Sequence, residues 1–293
     1  LVSFLNLLTL AAIWGASFLF MRIAAPALGA LWVAELRVAL AAVFLAILCL
    51  FLRKRTGILH HWRYYLQLGL FNSALPFLLF AYAAQALSAS LLAILNATAP
   101  FWGAIIGGIT GRQPLTSRAG IGLVLGVVGV AVLVGLDSSV YRAETLPAVL
   151  ATLTATLCYG VASHHATTVP ALDPFANAQG SMWASLVLLL PAALFFPAPA
   201  VIPAPEVIAA IAALGILCSG VAYILYFRLV NDLGPTPALS VTFLIPVFGV
   251  LWGWAFLDEA VGWHTLIGGC VVVLGTMLVS GLTLSQVRSA ANR

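Results

Sequence analysis

Apolar residues run along this chain in long stretches, parted by short polar seams. Val38 to Leu52 is apolar throughout, and so is Ile121 to Leu136. About 20 mostly apolar residues make one helix that crosses a bilayer. Broken at charges and at Pro, Gly and Asn clusters, the chain divides into ten such segments. They fall at about 5–24, 31–52, 64–85, 88–110, 117–136, 146–168, 175–196, 206–230, 235–257 and 263–284. Only Ala86 and Leu87 part the third from the fourth, but joined the two are far too long for one span. Backbone polar groups must be satisfied internally in lipid, so only helical bundles and closed barrels qualify. Barrel strands alternate polar and apolar residues over roughly 10 positions, and this chain shows no sustained alternation. The expected fold class is an all-α membrane protein with ten transmembrane helices.

The pattern repeats. Pro100 and Pro246 stand 146 positions apart, as do Gly69 and Gly215, Gly103 and Gly249, Gly107 and Gly253, Gly122 and Gly268, Gly129 and Gly275, and Gly135 and Gly281. Trp14-Gly15 and Tyr159-Gly160 match after one residue of slippage. The expected halves are 1–140 and 141–293, with five spans each, making one integral unit. Five is odd, so the second half enters the membrane from the opposite side and the repeats are inverted. Inverted repeats place a binding site near the midplane between the halves and let them alternate access by rocking. A duplication that only enlarged the bundle is the plainer alternative.

Composition agrees with lipid as the solvent. Of 293 residues, 63% are hydrophobic and only 7% are charged, against about 25% charged in soluble domains. Mean hydropathy is +1.14. The net charge of +4 therefore points to membrane orientation rather than to nucleic acid. Arg53, Lys54, Arg55, Arg63, Arg112, Arg118, Arg228, Arg288 and Arg293 all fall on one side of a ten-span topology, and Arg22, Arg37 and Arg142 on the other. The rule assigns the richer side, and both termini, to the cytoplasm. The expected location is the inner (plasma) membrane. The first apolar run lacks a basic leader and is followed by further spans, so it does not read as a cleaved signal. Cys49, Cys158, Cys218 and Cys270 lie in apolar runs without ligand spacing and read as small buried thiols.

Three stretches carry a family likeness. They are Ala11-Ala12-Ile13-Trp14-Gly15-Ala16-Ser17, Ala86 to Pro100, and Leu233-Gly234 through Pro246 to Leu257-Asp258-Glu259. With these the chain resembles the EamA-type drug/metabolite transporter superfamily over nearly its whole length. The resemblance implies two five-helix repeats in tandem and a role in transport. Gly111-Arg112-Gln113 departs from the family, whose first repeat often carries an acid there like Glu259. Within the superfamily the chain is most similar to the YddG-type exporters of aromatic amino acids. Branches that carry phosphorylated substrates suit Lys or Arg at mid-membrane. The middles of these spans read as lacking Arg, which disfavours them.

The candidate site residues follow from symmetry and polarity. Asn96 and Thr242 are 146 apart, one turn before Pro100 and Pro246. Each proline leaves a carbonyl one turn back without its helical partner, and such a carbonyl can meet the polar end of a substrate. Trp14 and Tyr159 form a second symmetric pair, and Tyr82, Tyr223 and Tyr226 add aromatic surface. Aromatic walls with few polar groups suit a flat apolar substrate, although core packing competes for each ring taken singly. The expected substrate-binding set is Trp14, Tyr82, Asn96, Tyr159, Tyr223 and Thr242. Pro100, Pro246, Gly103 and Gly249 are expected at hinges or packing contacts. Trp252, Trp254 and Trp263 read as interface-belt residues. Glu35 and Arg37, two apart, point to different helix faces, so Glu35 is expected to pair with Arg22 across helices. Glu35 is the sole carboxylate well inside an apolar run. Obligatory proton coupling, which uses such groups as a relay, is therefore not expected. His164 and His165 lie near the end of the sixth span and read as loop-proximal. No phosphate loop, metal cluster, cofactor site or catalytic dyad stands out.

The expected activity is secondary transport that exports small metabolites, aromatic or other apolar amino acids first. Its partners are the substrate and the bilayer. The alternatives are an intramembrane enzyme acting on lipid and a passive channel. Oligomeric state stays open.

Overall fold

The computed structural model describes residues 2–53, 58–111, 115–135, 144–166, 173–196, 203–233 and 241–281. Among these residues the regular structure is helical and strands are absent. The helices are α1 (Val2–Leu28), α2 (Ala30–Phe51), α3 (Trp62–Ala83), α4 (Ala89–Ile109), α5 (Ser117–Gly135), α6 (Thr145–Ala166), α7 (Pro174–Ala193), α8 (205–233), α9 (Val241–Leu257) and α10 (Trp263–Val279). Seven of them, α1 to α6 and α8, are long and apolar enough to cross a membrane, and α9 and α10 are shorter apolar helices. Lys54, Arg55, Arg112, Arg142, Arg288 and Arg293, on which the orientation leans, lie outside the described residues. Arg53, Arg63, Arg118 and Arg228 are exposed.

Local chemistry explains several boundaries. α1 runs past Arg22 to Leu28, further than its apolar stretch predicts. A charge does not by itself stop a helix, arginine being a good helix former, and Arg22 Nη1 donates to the carbonyls of Ala84 (3.0 Å) and Gln85 (3.3 Å) beyond the end of α3. α7 carries polar residues in its first half, Asn177, Gln179 and Ser181 among them. Its polar face is buried rather than wet: Gln179, Ser181 and Ser185 are all inaccessible, and Ser185 Oγ donates to the Gly69 carbonyl of α3 at 2.9 Å.

Both ends of the break between α3 and α4 are set by side chains. Ser88 caps α4 by accepting from the Leu91 amide at 3.1 Å. Glu259, beyond α9, accepts from the Ala89 amide at 2.6 Å, the Ser90 amide at 3.0 Å and the Ser90 hydroxyl at 2.6 Å. A carboxylate at a helix N-terminus satisfies orphan amides and complements the dipole. This ties the start of α4 to the end of α9. Glu259→Gln loses the charge and one accepting oxygen. It is expected to cost about 1–2 kcal/mol, read as a lower apparent melting midpoint in detergent. An unchanged midpoint would show that the carboxylate is not an anchor.

Helices of 1–140 pack mainly against helices of 141–293. α5 lies along α10, α2 along α7, and α4 along α9. α1 packs on α9 as α6 packs on α4; α1 packs on α8 as α6 packs on α3; α2 packs on α8 as α7 packs on α3. Every one of these contacts has a counterpart when the halves are exchanged.

Glycines allow the closest approaches. On Gly275 an added Cβ would stand 2.6 Å from the Gly122 carbonyl oxygen and 2.9 Å from the Gly126 nitrogen. On Gly122 it would stand 2.6 Å from the Gly275 oxygen. Gly129 and Gly268 meet the same way: a Cβ added to either would stand 3.0 Å from the carbonyl oxygen of the other. These four are the 146-spaced pairs, and each meets the equivalent of its partner's partner. That crossed pattern is what a two-fold axis between two packed helices produces. Small residues let helices touch where lipid supplies no hydrophobic drive.

Candidate functional site

Two helices carry π-helical stretches at equivalent places. α3 is π-helical over Leu70–Ala74, and α8 over Ala213–Val221, which contains the positions 146 further on. A π turn widens the helix by bonding i to i+5, is rare, and is frequent at functional sites. Each of these two aims short polar side chains inward. In α3, Asn72 Nδ2 donates to the Tyr223 hydroxyl at 3.3 Å. In α8, Ser219 Oγ donates to the Leu214 carbonyl at 2.9 Å, five residues back. The same Ser219 oxygen accepts from Arg37 Nε at 2.9 Å.

Arg37 corrects one expectation, since the middles of the spans are not free of arginine. It stands seven residues beyond Ala30, about 10 Å along α2 at roughly 1.5 Å per residue. It is only 6% exposed. Its guanidinium lies 3.7 Å over the Phe77 ring, and Nη1 reaches Met21 Sδ at 3.7 Å. Tyr159, Tyr223 and Cys218 lie within its electrostatic reach. Both halves of the chain thus supply this cluster: Met21, Arg37, Asn72 and Phe77 from the first, and Tyr159, Ser219 and Tyr223 from the second.

The predicted aromatic residues divide. Tyr159 stacks on Phe80, with centroids 6.1 Å apart, and Phe80 meets Phe18 edge-on at 5.6 Å. Tyr223 joins the cluster through Asn72. Trp14 packs against Tyr226 at 5.7 Å and borders two of the buried apolar clusters. Tyr82 is 45% exposed on the outside of α3 and does not join them. Trp252 is half-buried and its Nε1 donates to the Ala12 carbonyl at 2.9 Å. Trp254 and Trp263 are exposed.

The proline neighbourhoods differ between the halves. α4 breaks at Ala97 and Thr98, and Pro100 follows at the start of its second segment, Ala99–Ile109, where a missing N–H costs nothing. Pro246 lies inside a continuous α9. Carbonyls at the break in α4 are already used: Thr98 Oγ1 takes that of Leu95 at 2.7 Å, and Thr276 Oγ1 that of Ala97 at 2.7 Å. Asn96 and Thr242 are both half-buried. A Cβ on Gly249 would collide with that of Ala93, whereas the Cβ direction of Gly103 is open.

The expected pairing of Glu35 with Arg22 is not present among the described residues. Arg22 bonds backbone carbonyls instead, and Glu35 is buried with its Oε2 unpartnered. Among the described residues the four cysteines form no disulfide. Cys49, Cys158 and Cys218 are buried, but Cys270 is exposed. His165 stacks on Tyr64 at 5.2 Å. Among the described residues no group of His, Cys, Asp and Glu is placed to hold a metal.

Comparison with known proteins places this geometry. The model of the EamA-like transporter family matches twice, over residues 2–135 and 146–281. The uncharacterized transporter YoaV of Bacillus subtilis (strain 168) is 21% identical over 277 residues, covering 94% of this chain and 95% of YoaV. A crystal structure 18% identical in sequence shares the fold at a TM-score of 0.67, over 94% of this chain and 96% of that one. Two matched halves, apolar helices long enough to span lipid, and a buried polar cluster between them identify a multi-pass membrane transporter, and the chain belongs to the EamA-like transporter family.

Proposed function

We propose that this transporter exports small amphipathic metabolites, with aromatic and other apolar amino acids as its first substrates, by alternating access. The observation that carries the reading is the buried polar and aromatic cluster at the two equivalent π stretches, supplied jointly by both halves. Few polar groups set among rings suit a substrate with one polar end and a flat apolar body. Ten spans in two inverted repeats, 1–140 and 141–293, account for the two family matches and for the exchangeable helix contacts. In that arrangement the cluster lies between two bodies that rock against each other. Both termini face the cytoplasm, in the inner membrane. Transport follows the substrate gradient, without obligatory proton coupling.

The test is purified protein in sealed liposomes. It is expected to move tryptophan or phenylalanine saturably, and unlabelled substrate on the far side is expected to accelerate labelled uptake. A folded, correctly inserted preparation that moves no amino acid sinks the substrate class. Uptake that neither saturates nor shows counterflow makes the protein a channel.

A further inference from the structure

Arg37 presents an unbalanced charge. Its partners are a hydroxyl, a thioether and an aromatic ring, all neutral. No described carboxylate is bonded to it. Glu35 is two residues away on α2 and therefore on another face, and the helix neighbours three and four positions along are Val33, Ala34, Leu40 and Ala41. A guanidinium has five N–H donors. Nε and one donor of Nη1 are engaged, and both donors of Nη2 have no acceptor among the described residues. A buried ion without a counter-ion is costly, and charges within membrane helices mark substrate or ion pathways.

The rest of the cluster suggests what balances it. Phe77 on one side and Ser219 on the other fix the guanidinium plane. Tyr159 and Phe80 stack nearby, while Asn72 and Tyr223 add hydrogen-bonding groups. The second half has no counterpart of this charge: position 183, the residue 146 beyond Arg37, is Trp183, which is exposed.

We propose that Arg37 is the recognition point for the carboxylate of the transported substrate, which it receives through the free N–H groups of its fork while the neighbouring rings take the apolar part. Arginine matches carboxylate geometry bidentately, which lysine cannot do. One buried cation neutralises one carboxylate. The substrate class is therefore organic monocarboxylates with an apolar or aromatic body, amino acids included, and doubly charged phosphates are excluded. The inference rests on the transport reading above and deepens it.

The experiment compares tryptophan, tryptophanamide and indole-3-propionate, in liposomes and as stabilisers of the purified protein in detergent. The wild-type protein is expected to prefer both carboxylates over the amide by about tenfold or more, the usual scale for a desolvated charge pair. R37Q is expected to lose most carboxylate transport and to move the amide no worse than the wild type. R37K is expected to recover part of the carboxylate preference, because charge remains and the fork does not. Equal handling of tryptophan and its amide by the wild type overturns the proposal, and so does an R37Q protein that keeps the preference. Should R37Q not fold, the wild-type comparison decides alone. A wild type that moves none of the three probes defeats the transport reading instead; carboxylate-specific thermal stabilisation would then still uphold Arg37, and its absence would end that too.

Discussion

Leucine in place of Gly275 is expected to leave little or no monodisperse protein. The Cβ alone would stand 2.6 Å from the Gly122 oxygen and 2.9 Å from the Gly126 nitrogen. Both are backbone atoms of α5, so no side chain can swing aside. Overpacking a tight contact costs about 1–3 kcal/mol where neighbours can adjust, and here a whole helix has to move. The shift would also disturb the Thr276 hydroxyl bond to the Ala97 carbonyl, which ties α10 to the break in α4. Gly122→Leu is expected to fail in the same way, because its Cβ meets the Gly275 oxygen. Gly120→Leu is the control: an added Cβ meets nothing within 4 Å. Size-exclusion profile and apparent melting midpoint in detergent are the measurements. A Gly275→Leu protein that elutes and melts like the wild type would show that α5 and α10 do not pack through these glycines.

The glycine spacing was legible in the sequence, and what it meant was not. Equal offsets expose a duplication, but they do not say which glycine touches which. The crossed pairing of Gly122 with Gly275 and Gly129 with Gly268 appears only once two helices are laid side by side. The helices were legible for a simpler reason: lipid demands long apolar stretches, and most described helices begin and end within a few residues of the polar seams, while the expected start of the ninth segment, at 235, lies outside the described residues. α1 outran its seam because a charge ends an apolar run without ending a helix.

The candidate cluster was half legible. Tyr159 drew attention through symmetry and Tyr223 through aromatic character, and both lie in the buried cluster around Arg37. The π stretches were not, because an i to i+5 bond leaves no mark in composition. Tyr82 enters the expected set only as an aromatic of the third span, which says nothing of the face it takes, and it is 45% exposed. Arg37 was missed by judging depth from the ends of the apolar run. The sequence did hold a signal: no acid stands three or four positions from it to neutralise it locally. Asn96 and Thr242 drew attention through equivalent prolines, yet α4 breaks before Pro100 while α9 runs through Pro246. Equivalent residues had diverged in local structure, which an offset cannot reveal.

Gly15→Leu and Gly160→Leu are expected to bias the protein towards opposite faces of the membrane. A Cβ on Gly15 would meet the Phe248 Cβ at 2.7 Å and the Gly249 nitrogen at 3.0 Å, wedging α1 from α9. A Cβ on Gly160 would meet the Trp102 Cβ at 2.7 Å and the Gly103 nitrogen at 3.1 Å, wedging α6 from α4. The two contacts are counterparts under exchange of the halves. If the repeats are inverted, that exchange also exchanges the cytoplasmic and outer sides. A wedge that favours opening to one side then has a twin that favours the other. Overpacking at about 1–3 kcal/mol is enough to shift a two-state equilibrium by about tenfold. Cys218 is the reporter, being buried with its thiol donating to the Ile13 carbonyl at 3.2 Å and within reach of Arg37. With Cys49, Cys158 and Cys270 replaced, a membrane-impermeant thiol reagent applied from each side of oriented vesicles reads how often the site opens there. The ratio of the two labelling rates is expected to move in opposite directions in the two variants. Movement in the same direction would contradict inverted repeats. An unchanged ratio in both, with the proteins folded, would mean that these contacts are not remade during transport and that the halves rock about some other seam.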